Sequence, residues 1–274
     1  HETRFRPNKN KSAAGGSAGG QQGLVMQVHV SPLPSTRTAV TLREAQPGDA
    51  EAAGRVMYRA FAELQSSRGY APDMPTVEAA IGLATAQIAD PSVYGVVAEC
   101  DGAIIGSNFL TEGDAIRGVG PISVDPDHQG TGLGRLLMQA VIDRGADAAG
   151  IRLCQDAFNG LSLALYSELG FDVREPLALM TGRPRDAGEP DAEVRLLTED
   201  DLDDGTVLAR RVTGYARRAD LIAAVRGGTA VGLVRGGNLT AYMTSPGFWL
   251  LNHAVAATEA ELRALILGAA SFNE

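Results

Sequence analysis

The segment that most constrains this chain is Gln129–Gly130–Thr131–Gly132–Leu133–Gly134, which follows Ile122–Ser123–Val124–Asp125–Pro126 and runs directly into an apolar-periodic stretch. Glycine at every second position lets successive backbone N–H groups converge at a helix start, where the helix dipole favours an anion. A pyrophosphate suits such a cradle. Two better-known phosphate loops are excluded, because Arg135 stands where G-x-G-x-x-G needs glycine and no Gly-Lys-Ser/Thr follows. A tight strand-to-helix turn without a ligand would use the same glycines, so the loop alone leaves both readings open.

The surrounding pattern predicts a mixed α/β sheet with helices on both faces. Strand-like Ala39–Arg43 precedes amphipathic Asp49–Leu64, and a second helix covers Thr76–Ile88 up to Asp90–Pro91. Val93–Glu99 and Ala103–Leu110 flank Asp101–Gly102 as a hairpin. Arg117–Val124 is a third strand, Leu133–Arg144 a helix, Ile151–Gln155 a strand, Gly160–Leu169 a helix and Phe171–Met180 a last strand. Glycine- and proline-rich Thr181–Pro190 reads as a linker. Beyond it, Glu193–Asp201 echoes Ala39–Arg43 followed by Pro47–Gly48–Asp49, and a helical stretch over Val207–Val225 precedes strands near Ala230–Val234 and Leu239–Thr244, which suggests a partial second copy of the first unit. The expected boundaries are a disordered tag or linker at 1–35, a first domain at 36–183, a linker at 184–191 and a partial, degenerate domain at 192–274.

Residues 1–25 carry four cations against Glu2, so the net charge of −9 leaves −12 on the remainder. An acidic body repels nucleic acid and leans toward a cationic small molecule. Two scattered cysteines fit neither a disulfide framework nor a zinc cluster, and His29, His128 and His253 lack partners at ligand spacing, so no metal site is expected. No apolar run approaches the roughly 18 residues needed to span a bilayer. These readings predict a cytoplasmic protein with no nucleic-acid or membrane partner; a homodimer is left open. Gly15–Ser17–Gly19 matches a hydrolase pattern but lies in low-complexity sequence, and it is set aside.

A second chemistry-bearing segment places Asn159, Ser162 and Tyr166 at i, i+3 and i+7, presenting an amide, a hydroxyl and a phenol on one helical face beside a Leu161, Leu165, Leu169 stripe expected to be buried. Taken together, Gln129–Gly134 after Val124–Asp125–Pro126, and Asn159 ahead of Leu165–Tyr166–Ser167–Glu168–Leu169–Gly170–Phe171, resemble the two motifs of the GNAT superfamily of N-acetyltransferases. The match covers about residues 38–180, and the downstream region resembles the degenerate half of tandem members. The resemblance implies acetyl-CoA as donor, its pyrophosphate on the backbone of Gln129, Gly130, Thr131, Gly132, Leu133, Gly134 and Arg135. The pantetheine arm would pair along Ile122, Ser123 and Val124 and touch Asn159. Tyr166 would protonate the departing thiolate, and the acceptor would be a primary amine of a small molecule attacking directly. A non-catalytic acyl-CoA-binding module is the alternative.

The chemistry suits these residues apart from the name. Aminolysis of a thioester needs a polarised carbonyl and an acid for sulfur, and a phenol near pKa 10 matches a thiolate of similar basicity. The base is less evident: where the best-known members carry a strand glutamate, this chain has Arg117–Gly118–Val119–Gly120. Glu112 and Asp114 lie just upstream and are candidates to act through water, or are solvated turn residues. Asn108 and Phe109 are candidates to face the acceptor, or are packing residues.

Overall fold

The computed structural model describes residues 2–5, 39–177, 182, 193–247 and 252–272. The expectations placed on Gly15–Gly19, on Ala178–Met180 and on most of the 181–190 linker lie outside the described residues.

In chain order the first half comprises β1 (Glu2–Phe5), β2 (Val40–Glu44), α1 (Ala50–Ser66), α2 (Val77–Ala89), β3 (Val93–Cys100), β4 (Ala103–Thr111), β5 (Ile116–Val119), β6 (Ser123–Val124), α3 (Leu133–Arg144), β7 (Gly150–Cys154), α4 (Gly160–Glu168) and β8 (Phe171–Glu175). They build one mixed sheet in the order β2-β3-β4-β5-β7-β1-β8, with β6 continuing β5 along β4. The β5–β7 pair is parallel, as the intervening helix α3 requires, and the other pairs are antiparallel. One finding departs from the expected disordered leader: Glu2–Phe5 is a strand, antiparallel to both β7 and β8, so it supplies backbone partners to two strands that would otherwise be edges.

Helices cover both faces. On one, α3 and α4 pack Leu137, Val141 and Tyr166 against Ile105, Ile151 and Leu153. On the other, α1 and α2 enclose Met57, Met74, Leu83 and Phe109. Thr76 caps α2 through Ala79 N–H at 3.2 Å. Gly54 permits the tight α1–α2 crossing, since a Cβ there would fall 2.5 Å from Ile81 Cα.

The single strand expected over Arg117–Val124 is interrupted. Leu110 pairs with Val119 and Ser107 with Ser123, so three steps along β4 face four along the partner, which is a bulge of one residue. Gly120 absorbs it at φ +123° ahead of Pro121. The β5–β7 pairing extends only from Ile116 to Gly118, so β6 and β7 diverge and leave an opening between them.

The second region contains β9 (Glu193–Leu196), α5 (Leu202–Thr213), α6 (Arg218–Arg226), β10 (Val231–Arg235), β11 (Asn238–Met243), β12 (Ala254–Ala256) and α7 (Glu259–Ala269). The one helix expected over Val207–Val225 is two, broken at Gly214 with φ +81°. The four strands form a sheet in the order β12-β11-β10-β9, with α5 and α6 packed on one face and α7 on the other. The halves meet where α6 abuts the β4–β5 turn: Asp114 accepts from Arg218 N–H at 2.9 Å and Ala219 N–H at 3.2 Å, and a Cβ on Gly113 would lie 2.5 Å from Ala219 Cβ.

Candidate active site

The opening between β6 and β7 is framed by the residues singled out from the sequence. Asp125 N–H reaches Ile105 O at 2.9 Å, toward β4, so strand alternation turns Val124 N–H the opposite way, into the opening. The Val124 carbonyl takes the Gln129 side-chain amide at 3.2 Å. Gln129 therefore ties the loop to the strand it follows.

The glycine loop is shaped as its sequence suggests. Gly130 and Gly132 sit at φ +73° and +89°, and nothing lies within 4 Å of a Cβ built on either. Gly132 is the N-cap of α3, whose first amides have no carbonyl of the preceding turn to meet. An exposed, left-handed, side-chain-free concavity against a helix start is suited to phosphate oxygens. Asp125 anchors the approach, since it caps the short turn after β6 through Asp127 N–H at 3.0 Å, and Arg59 of α1 donates to Asp125 at 2.6 Å and to Asp127 at 3.1 Å. Sequence reading missed Arg59, whose partners lie more than sixty residues away. Arg135, expected among the cofactor contacts, pairs with Glu168 at the end of α4.

Across the opening, Asn159 caps α4 by accepting from Ser162 N–H at 3.2 Å. Tyr166 follows Ser162 by one turn of α4, so the three residues line one face of the helix, as their spacing predicts. Tyr166 is only 5% exposed, with its ring edge-on to Phe171, and burial pushes its phenol above the ordinary value. A proton held there is available for donation across the neutral pH range. Leu161, expected in the buried stripe, is instead 88% exposed, because its position in the first turn projects beyond the sheet; Leu165 and Leu169 do pack inward.

Two sets of expectations are corrected. Asn108 and Phe109 face no cleft, both being fully buried. Asn108 donates to Leu137 O at 3.2 Å and accepts from Phe109 N–H, while the Phe109 ring lies between α1 and α2. They sit mid-strand in the centre of the sheet, where each face is already covered. Glu112 and Asp114 are equally committed elsewhere. Arg144 donates to both Glu112 oxygens at 2.9 Å, with Arg117 at 3.4 Å, and Asp114 caps α6. Burial raises the Asp114 carboxyl while the α6 amides oppose the shift.

The structure adds a feature the sequence did not flag. Gln65, buried at the end of α1, accepts from the Asp73 N–H of the α1–α2 connection at 2.7 Å and lies beside Asp156 just beyond β7, and burial raises both carboxyls. Beside them Tyr70 stacks on Phe158 at 4.9 Å. The α1–α2 connection is thereby fastened to the turn that carries Asn159. Among the described residues no cluster of metal-ligating side chains occurs, and no helix is long and apolar enough to cross a membrane.

The region that holds this site is similar to known proteins. The model of the acetyltransferase (GNAT) family matches residues 57–171. A mycothiol acetyltransferase of Thermomonospora curvata is 36% identical over 149 residues, which are 52% of this chain and 48% of that protein. The chain thus spans about half the length of this curated relative. Among solved structures, the PaiA N-acetyltransferase of Thermoplasma acidophilum in complex with coenzyme A is 16% identical, with 50% of this chain and 92% of that one covered at a TM-score of 0.43. A GNAT family acetyltransferase of Brucella melitensis in complex with acetyl-CoA is 26% identical, with 50% and 85% covered at a TM-score of 0.37. Residues 57–171, the stretch that resembles the acetyltransferase (GNAT) family, hold both the glycine loop and the Asn159–Tyr166 row.

Proposed function

We propose that the chain is an acetyl-CoA-dependent N-acetyltransferase acting on a primary amine of a small molecule. The observation that carries this reading is the juxtaposition of the side-chain-free Gly130–Gly132 concavity with the inward-turned Val124 N–H, one able to hold a pyrophosphate and the other a carbonyl or amide of a pantetheine arm. The match of residues 57–171 to the GNAT family and the mycothiol acetyltransferase relative support the same chemistry.

On this reading the donor lies across the opening, with its phosphates against 129–135, its arm along Ile122–Val124 and its amide reaching Asn159. Acetyl-CoA supplies an activated acyl group. The chain orients it, the backbone at Val124 polarises the thioester carbonyl, and the attacking amine forms the new C–N bond as the C–S bond breaks. Tyr166 gives its proton to the leaving thiolate, and the proton shed by the attacking nitrogen passes to water, from which the phenol is reprotonated. The second region, which repeats the element order from β2 to α3 without a glycine loop, is read as a partial, degenerate copy that binds no donor of its own. The expected cytoplasmic address belongs to this proposal as well.

A thiol-release assay with acetyl-CoA and a panel of amines, paired with calorimetry, tests the reading. One acetyl-CoA per chain and amine-dependent thiol release are expected; no binding would overturn it. The lack of a strand carboxylate, together with the engagement of Glu112 and Asp114 in other contacts, favours one alternative, a non-catalytic acyl-CoA-binding module. It would give stoichiometric binding without turnover.

A further inference from the structure

Ile151 and Leu153 of β7 point into the core beneath α3 and α4, so Arg152 between them points to the opposite face. There it stands over Gly118, its register partner on β5: a Cβ at Gly118 would lie 3.7 Å from an Arg152 terminal nitrogen. This is the level of the strand at which no carboxylate is present in the first half of the chain. One is brought from the second half. Asp220, in the first turn of α6, lies 3.6 Å from Arg152 and takes Arg217 Nε at 2.6 Å. Asp114, which caps the same helix, completes a group of two guanidiniums and two carboxylates at the seam between the halves. The group is not sealed, since the side chains of Arg217 and Asp220 keep 27% and 25% of their exposure.

We propose that the second region forms the acceptor wall of the active site, with Asp220 binding the acceptor's amine and the neighbouring guanidiniums a carboxylate on the same molecule, so that the acceptor is of the amino-acid or short-peptide class. The inference rests on the acetyltransferase reading. Three features favour it. The group lies on the face of β7 opposite the α3–α4 core and next to the point where β5 and β7 part, where an amine must approach a thioester held in the opening. Its charges balance, which suits a zwitterion, whereas a polyamine would meet two guanidiniums. Burial pushes the Asp220 carboxyl up, but Arg217, Arg152 and His253 together outweigh it and keep the group ionised, so it accepts N–H bonds and orients the amine rather than removing its proton.

The test uses the full chain, saturating acetyl-CoA, and three acceptor sets: free amino acids and dipeptides, their methyl esters, and spermidine. Free carboxylates are expected to be preferred by about tenfold or more in kcat/KM, the effect of one charge-assisted contact. Asp220→Asn is expected to raise the acceptor KM by about tenfold or more with acetyl-CoA affinity unchanged, and Asp220→Glu to recover part of the loss. Equal or better use of the esters or spermidine overturns the proposal. So does acetyl-CoA binding without turnover of any amino acid or dipeptide, or a folded Asp220→Asn with an unchanged acceptor KM. If Asp220→Asn does not fold, the ester comparison decides alone. Absence of acetyl-CoA binding in the unmodified protein would instead refute the underlying reading.

Discussion

Arg195 donates its two terminal nitrogens to the two oxygens of Asp201 at 2.8 and 2.7 Å, and Arg43 does the same to Asp49 at 2.7 and 2.8 Å. Arg43 lies in β2 and Arg195 in β9, with each aspartate six residues on, where it also accepts the backbone N–H three residues before it, from Thr198 or Gln46, at 2.8 Å. The same bidentate fork therefore fixes the strand-to-helix turn in both halves. It is the strongest local likeness between them, and it involves no residue of the candidate active site.

Asp201 is mostly buried and holds several hydrogen bonds at once, so Asp201→Asn leaves the Arg195 fork without a charge partner. A loss of about 1–3 kcal/mol is expected, read as a lowered unfolding midpoint in denaturant. Arg195 pulls the Asp201 carboxyl down to about 2 from its ordinary 3.8. The stabilisation it brings is therefore complete above pH 3.8 and is lost as the pH falls toward 2. Asp201→Asn should abolish that segment of the pH–stability curve, and an unchanged curve would refute the assignment.

His253 predicts a second acid sensitivity, one that sets in at higher pH. Burial is the largest cause and Arg217 adds to it, together lowering the imidazole from 6.5 to about 3, while its ring stands edge-on to Tyr242. The folded state keeps this histidine neutral where the unfolded chain would protonate it. The contribution is full above pH 6.5 and declines from there toward pH 3, with a slope of at most about 1.4 kcal/mol per pH unit. Guanidinium unfolding of the wild type and His253→Asn at pH 7.5 and 5.0 checks this: the wild type should lose more stability between the two than the variant does.

Much of the first half was legible because its signals are local. The glycine loop, the Asp101–Gly102 hairpin and the Asn159–Ser162–Tyr166 row depend on periodicity and on residues within a few positions, and each stands where the spacing put it. The misjudged residues are those whose environment is set at long range. Glu112 and Asp114 read as turn carboxylates because Arg144 and the start of α6 are 32 and 104 residues further along. Asn108 looked like a ligand-facing polar residue because alternation does not reveal that the facing helix offers a carbonyl at Leu137. Arg59 and Asp220 carried no local signal at all, since an arginine or aspartate on an amphipathic helix is ordinarily a solvated one.

Gly132→Asp separates ligand binding from folding. Nothing stands within 4 Å of a Cβ at this position, so the side chain meets no protein atom, and the left-handed backbone is the only intrinsic cost. That cost is about 1–2 kcal/mol, small enough to leave the fold. A carboxylate projecting into the concavity repels phosphate, and acetyl-CoA affinity by calorimetry should fall at least about tenfold. Unchanged affinity would place the phosphates elsewhere.

Tyr166→Phe addresses the acid. The substitution keeps the ring against Phe171 and the α3–α4 core and removes only the hydroxyl. Folding and acetyl-CoA affinity should therefore change little. If the phenol protonates the departing thiolate, the chemical step should slow by about 10²–10⁴-fold, the range for losing a positioned general acid. Product release or closure of the site can mask that in steady state, so the acetyl-transfer rate belongs in a single-turnover experiment with enzyme in excess over acetyl-CoA. Burial raises the Tyr166 phenol above its ordinary value, so the wild-type rate should show no loss of the acid form at any pH up to about 10. A single-turnover rate in Tyr166→Phe equal to wild type would show that the proton reaches sulfur from water, and that the row ending at Tyr166 serves to hold α4 against the sheet.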